Sequence, residues 1–288
     1  MASFSDECLN FASMTGASLE TANYYLEASG GVVESAVSLF FEMGGAPAPS
    51  AFDDDGDDAA LDPSSQGSSK DAEGNEVVHA SPTPTFTVQA PTSQFDLPEG
   101  RSACTTIACE AAFRMTAEKE AVSAATFEDV SVIVSYIADG VAEYKTINAN
   151  APVEHMGCGE VMLMSAKYSK IMEQVVMVQG STQGSKAFEE ELENALAGAQ
   201  EDKAPVCAVI TKPPESVVVY CHQSGVFVLF DSHPRQTLGI NGAYACGFAT
   251  AASCAAFLRG IFPAVSGLGD SMMAQMYNSF EFTVLRRL

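Results

Sequence analysis

The chain has 288 residues, 47% hydrophobic and only 18% charged, so it holds enough apolar material for a sizeable core. Acids outnumber bases 37 to 14, a formal charge of −23. Phosphate-rich partners need a basic footprint, so this balance argues against nucleic acid and anionic membrane surfaces. No apolar run approaches the length of a membrane span. Eight cysteines are too sparse for a disulfide scaffold. The opening MASFSDECLNFASMTG lacks the basic and apolar regions of a secretory signal. The expectation is a cytosolic or nuclear protein with reduced thiols.

Three segments differ in character. Residues 1–43 carry a charge of −6, residues 44–100 carry −10, and residues 101–288 carry −7. The expected domains are 1–43, a linker over 44–88, and 89–288.

Residues 1–43 predict three short helices. Apolar positions fall at Phe4, Cys8, Leu9 and Phe11, then at Ala22, Tyr25 and Leu26, then at Val33, Ala36, Val37, Phe40 and Phe41. Within each group the spacing is mostly three or four, which is helical. Gly30-Gly31 breaks the second helix and Gly44-Gly45 ends the third. A segment of about 40 residues is near the lower limit for independent folding, which leaves only a compact bundle.

The stretch GGAPAPSAFDDDGDDAALDPSSQGSSKDAEGNE is dominated by Gly, Pro, Ser and Asp. It cannot bury enough surface to offset its ordering entropy, so a disordered acidic linker is expected. The run Asp53, Asp54, Asp55, Asp57 and Asp58 lacks the spacing and terminal Glu of a calcium loop and reads as solvated. Val77, Val78, Phe86, Val88, Phe95 and Leu97 suggest a strand-like lead-in to the C-terminal domain.

Residues 101–288 alternate helix and strand patterns. Helices are expected over Ala103–Glu118, capped by Ser102, over Thr126–Val141, with Thr126 and Asp129 as a capping box, and over 186–200. Strands are expected over Val206–Thr211, Ser216–Cys221, Val226–Phe230, Ala243–Phe248 and Phe280–Leu285. His222-Gln223-Ser224-Gly225 makes a hairpin loop, and a helix over Thr250–Phe262 stops at Pro263. The pattern is α+β with an antiparallel sheet.

Two places carry chemistry. Cys104 sits at the start of a predicted helix, where the dipole and the unpaired N–H groups favour a thiolate nucleophile. Its own backbone N–H can also serve an oxyanion. The apolar strand VFVLF runs into Asp231-Ser232-His233. Residues two apart on a strand share a face, so Asp231 and His233 point together and Ser232 points away. A carboxylate beside an imidazole fixes its tautomer and stabilises imidazolium. Cys109, Cys207, Cys221, Cys246 and Cys254 read as core thiols. His155 with Cys158 makes one pair where zinc needs a second, so no metal and no cofactor are expected. His222 falls in a turn and His79 in the linker.

The N-terminal DECLNFASMTGASLETANYYLEASGGVVESAVSLFFEMGG resembles a UBA-like domain, in particular the version at the start of UBX-type cofactors of the segregase ATPase. That resemblance implies ubiquitin binding through Met14, Thr15, Gly16, Leu39, Phe40 and Met43. It also brings in the segregase ATPase machinery as a partner. The C-terminal part, through Cys104 in GRSACTTIA and through FVLFDSHPR followed by GAYACGFAT, resembles the papain-like deubiquitinases of the viral-tegument type. That resemblance implies Cys104 as nucleophile, His233 as base and then acid, and Asp231 as orienter. An upstream glutamine, Gln94 or Gln89, would complete the oxyanion hole. The expectation is a cysteine deubiquitinase that acts on ubiquitin or polyubiquitin chains. Two alternatives stand beside it: a non-catalytic ubiquitin adaptor with a degenerate protease fold, and a protease for another ubiquitin-like modifier.

Overall fold

The structure, a computed structural model, describes residues 83–118, 120–149, 156–264 and 278–288 continuously. It also describes residues 69, 70, 76, 77 and 275 and scattered positions between 7 and 40. The described residues divide into two compact units, those up to position 79 and those from position 80 onward.

In the first unit, helix α1 spans Leu19–Ala28. Described positions before it (7, 8, 11, 15) and after it (33, 36, 37, 40) are also helical. Phe11, Tyr25 and Phe40 interlock as the aromatic centre. Tyr25 stacks on Phe11 with ring centroids 6.1 Å apart, and Phe40 meets both edge-on at 5.6 and 5.2 Å. Ala22, Leu26, Ala36 and Val37 close the core around them. In the acidic stretch the described residues form a two-residue antiparallel ladder of β1 (Ser69–Lys70) with β2 (Glu76–Val77).

The second unit is built on one antiparallel sheet. Its strands are β3 (Phe86–Gln89), β4 (Met172–Ser181), β5 (Val206–Lys212), β6 (Glu215–Cys221), β7 (Phe227–Asp231), β8 (Tyr244–Phe248) and β9 (Ser279–Arg287). Their spatial order is β3-β8-β7-β6-β5-β9-β4. The central strands are apolar at nearly every position because both faces are covered. On one face Cys207, Val209, Val218, Tyr220, Val228 and Phe230 pack under helices α2 (Cys104–Met115), α3 (Ser131–Asn148) and α4 (Cys158–Met164). On the other, Val206, Ala208, Ile210, Val217, Val219 and Leu229 pack under α5 (Glu189–Asp202) and α6 (Ala251–Ile261). Successive side chains alternate between the two cores, as strand geometry requires. Among the described residues no helix is long and apolar enough to cross a membrane.

Local chemistry sets the boundaries. The Thr250 hydroxyl accepts the Ser253 N–H at 3.1 Å and starts α6. Three glutamates, Glu189, Glu190 and Glu191, occupy the positive first turn of α5. The expected Thr126–Asp129 capping box does not form. Thr126 instead accepts the Ser123 N–H inside a separate turn over Ala124–Phe127, and Asp129 accepts the Ser131 N–H, so α3 begins five residues later than expected. No side chain caps α2; Ala103, not Ser102, is its cap residue. Strand β4 and helix α4 were not foreseen. β4 lies at the sheet edge with Val175, Val176, Met177 and Val178 exposed, so it lacks the inside–outside alternation that marks a half-buried strand.

Helix α2 is buried along almost its whole length, and its small residues allow close neighbours. At Gly140 of α3, an added Cβ would lie 2.5 Å from the Ile107 Cα of α2. Gly140→Ala should therefore force the two helices apart and destabilise the domain by about 1–3 kcal/mol. Urea denaturation should show this as a lower midpoint at unchanged slope.

Candidate active site

Strand β7 ends at Asp231, whose side chain is completely buried. A buried carboxylate is stable only if donors surround it, and four do. The His233 Nδ1–H and backbone N–H reach Oδ1 at 2.7 and 2.9 Å. The Arg235 Nε–H and the Tyr244 hydroxyl reach Oδ2 at 2.7 and 3.2 Å. Tyr244 arrives because the β7–β8 register sets it directly opposite Asp231. With Nδ1–H given to Asp231, the His233 Nε2 is left to work elsewhere. The Cys104 thiol is among the groups that raise the His233 imidazole.

Cys104 is the first residue of α2, and its Sγ lies 3.6 Å from the Pro214 carbonyl oxygen in the β5–β6 turn. The residue after that turn, Glu215 at the start of β6, is salt-bridged to Arg235 at 2.8 Å. Beside Cys104, Thr105 shares a 2.8 Å hydrogen bond with Ser216, which in turn bonds Thr211 at 2.9 Å. These hydroxyls tie the start of α2 to the β5–β6 hairpin.

The electrostatics follow from burial and charge together. Burial alone would discharge His233, but the carboxylates of Glu215 and Asp231 and the hydrogen bonds to Asp231 and Cys104 outweigh it and push the imidazole up to about 10. Burial likewise opposes the Asp231 carboxylate, yet Arg235 and His233 hold it down to about 2. His233 therefore stays an imidazolium across the neutral range. Burial pushes the Cys207, Cys221, Cys246 and Cys254 thiols well up, so they stay neutral.

Gln94 is the glutamine that reaches this site. It lies in a one-turn helix over Gln94–Asp96, accepts the Ser232 hydroxyl on Oε1 at 2.7 Å, and gives Nε2–H to the Arg101 carbonyl in a long 3.4 Å contact. Its backbone N–H donates to the Ser232 carbonyl at 3.1 Å. Gln89 is exposed on the edge strand β3. With its amide oriented to satisfy both neighbours, its oxygen accepts from the Asn241 and Gly242 N–H groups, which removes it as the oxyanion candidate. Phe95 stands edge-on to His233, with ring centroids 5.8 Å apart.

Other expected residues resolve differently. Met14, Gly16, Leu39 and Met43 lie outside the described residues, as do His79 and His155. Thr15 is half-buried, and its hydroxyl donates to the Phe11 carbonyl at 2.9 Å. Phe40 is only 7% exposed and belongs to the aromatic core, which corrects its reading as a ubiquitin contact: a bundle this small spends its large rings on packing. Cys158, read with His155 as half of a metal site, is buried with its Sγ 3.8 Å from that of Cys109. Among the described residues no three His, Cys, Asp or Glu side chains are grouped to hold a metal. His222 is half-buried in its turn and bonds Ser224.

Sequence reasoning missed Arg235, Glu215, Tyr244 and Ser232. Only Arg235 left a local trace, four residues beyond Asp231 in D-x-H-x-R. Tyr244 and Glu215 arrive through strand register and hairpin closure, and Ser232 was read only as the residue pointing away from the Asp231–His233 pair.

Comparison with known proteins gives three findings. Residues 5–47 match the family model described as a UBA-like domain. No curated protein matches the chain. Among solved structures, the ubiquitin-specific protease encoded by a murine cytomegalovirus tegument protein, in complex with a ubiquitin-based suicide substrate, is similar with a TM-score of 0.47 and 11% identity. That likeness covers 70% of this chain and 85% of that one.

The raised imidazole and the lowered carboxylate set the pH window of the site. The His233 contribution to stability is complete below its ordinary 6.5 and is lost as pH rises through about 10. The Asp231 contribution is complete above its ordinary 3.8 and is lost as pH falls towards about 2. Glu215→Gln removes the largest single charge raising His233. NMR titration of the His233 ring should then show its deprotonation moved down from about 10 towards 6.5. An unmoved titration would mean Glu215 does not act on the imidazole.

Proposed function

We propose that this chain is a thiol-dependent hydrolase that cleaves the isopeptide bond after the C-terminus of conjugated ubiquitin. The observation that carries the reading is a helix-start cysteine beside an imidazole whose Nδ1 is committed to a buried carboxylate and whose protonated form that cysteine helps to hold. The UBA-like match over residues 5–47 supports ubiquitin as the partner. The resemblance of both segments to ubiquitin-handling families points the same way.

In this reading the Cys104 thiolate attacks the carbonyl carbon after the ubiquitin C-terminal glycine, and the carbonyl electron pair moves onto oxygen. Gln94 Nε2–H and the uncapped N–H groups at the start of α2 receive that oxyanion. As the tetrahedral species collapses, His233 Nε2–H protonates the departing lysine amine, leaving a thioester on Cys104. His233, now neutral, takes a proton from water, whose oxygen attacks the thioester. Collapse expels the Cys104 thiolate and releases the ubiquitin carboxyl, which loses its proton to solvent, so the thiolate–imidazolium pair is restored. The UBA-like unit raises local substrate concentration through the acidic linker. Its resemblance to UBX-type cofactors adds the segregase ATPase machinery as a further partner to test. Eight free cysteines support a reducing compartment, cytosol or nucleus.

One observation favours a second reading, a ubiquitin adaptor without catalysis: Cys104 and His233 are each only 3% exposed, and the thiol faces the Pro214 carbonyl. Hydrolysis of ubiquitin bearing a C-terminal amide-linked fluorophore separates the two. Wild type should turn over, Cys104→Ala should be inactive, and His233→Ala should lose about 10²–10⁴ in kcat. Binding without turnover by wild type would establish the adaptor. Turnover of another ubiquitin-like modifier in place of ubiquitin would reassign the substrate.

A further inference from the structure

We propose that Ser232, the middle residue of the Asp-Ser-His triplet, is a positioning residue that aims the Gln94 carboxamide at the reaction's oxyanion. The proposal rests on the hydrolase reading above and assigns a role to the position between the two residues that reading uses. Ser232 is 1% exposed, and its Oγ–H donates to Gln94 Oε1 at 2.7 Å. Its carbonyl accepts the Gln94 backbone N–H at 3.1 Å. Gln94, also 1% exposed, is therefore fixed to the triplet by both backbone and side chain.

The chemistry of an amide makes this contact consequential. The two ends of a carboxamide are nearly the same shape and opposite in hydrogen-bonding character. A half-turn of the Gln94 amide would present an acceptor where a donor is needed, and an oxyanion would then be repelled. The Arg101 carbonyl opposes that half-turn, because Oε1 in place of Nε2 would set acceptor against acceptor, and the Ser232 hydroxyl holds the Oε1 end in place. With Oε1 fixed, Nε2 faces the Arg101 carbonyl, which belongs to the segment leading directly into Cys104. That contact is long at 3.4 Å, so the amide's N–H groups are not spent on a strong partner. The frame around Gln94 has no slack: a Cβ at Gly100 would lie 1.9 Å from the Gln94 carbonyl oxygen.

The bend that follows β7 lets one triplet serve both ends of the reaction. Asp231 and His233 face one way and build the general base. Ser232 faces the other way and meets Gln94. The residue that a Cys-His-Asp reading passes over thus orients the oxyanion donor.

Two assays on the full chain separate this role from general support of the fold. Hydrolysis of ubiquitin–fluorophore amide needs the oxyanion donor, whereas alkylation of Cys104 by iodoacetamide needs only the thiol–imidazole pair. Ser232→Ala should lower kcat about tenfold or more with KM nearly unchanged. Cys104 alkylation and its pH profile should stay as in wild type. Ser232→Thr, which keeps the hydroxyl, should retain most of kcat. Gln94→Glu, which keeps the acceptor and removes the donors, should fall as far as Gln94→Ala. Adding Ser232→Ala to Gln94→Ala should cause no further loss. The role is overturned if Ser232→Ala leaves kcat unchanged, if alkylation falls in step with kcat, or if the loss is equally large in the Gln94→Ala background. A wild type that alkylates at Cys104 yet hydrolyses no ubiquitin amide overturns the hydrolase reading, and this role with it.

Discussion

A carboxylate cut off from water persists only if it is surrounded by donors, and Asp231 is the point on which the rest of the site is hung. Its two oxygens divide the labour. Oδ1 holds His233 by ring and backbone, and Oδ2 holds Arg235 and Tyr244. Arg235 carries the connection on to Glu215, and the turn before Glu215 reaches the Cys104 thiol through Pro214. A chain of short contacts thus closes from the end of β7, across the β5–β6 turn, to the start of α2. Loss of one charged member would strand the others in a low-dielectric pocket, so the network sets geometry and protonation at once.

Helix α2 is the second half of the construction. It must hold Cys104 still while buried on nearly all sides, and it does so by being anchored at both ends. At its start Thr105 bonds into the β5–β6 hairpin through Ser216. One and a half turns later Glu110, wholly buried, gathers Arg114, Lys167 and the Tyr168 hydroxyl. Arg114 in turn pairs with Asp139 of α3. The close approach at Gly140 locks α3 against the same helix. Cys104 therefore sits on a helix held from several sides, while the turn facing it carries the exposed Pro213 and Pro214.

How much of this was legible in the sequence depends on where each signal resides. The central strands and the helix that stops at Pro263 announce themselves in a few adjacent residues, and the structure agrees with them closely, with Thr250 as the cap of that helix and not its first residue. Strand alternation pointed to the Asp231–His233 contact, but β7 ends at Asp231 and the contact is made in the bend beyond it, where Asp231 Oδ1 also accepts the His233 N–H. Strand β4 was hidden because an edge strand with both faces exposed shows no alternation. The Thr126 cap was misplaced because Ser123 competes for the same hydroxyl. The contact of Gln94 with Ser232, by backbone and side chain, depends on a single helical turn that no local pattern announces. Glu215 could not be read locally: it stands next to Arg235 only because the sheet folds β6 beside β7. Phe40 was assigned to a partner when its first obligation is to Phe11 and Tyr25.

The central claim is that one of eight cysteines is a nucleophile and that its imidazole neighbour makes it so. Ubiquitin carrying a thiol-reactive group at its C-terminus tests this directly, with the modified residue located by peptide mass spectrometry. The account predicts a single adduct on Cys104, formed by the wild type and slowed strongly in His233→Ala. An adduct on any other cysteine, or none while ubiquitin still binds, would contradict it.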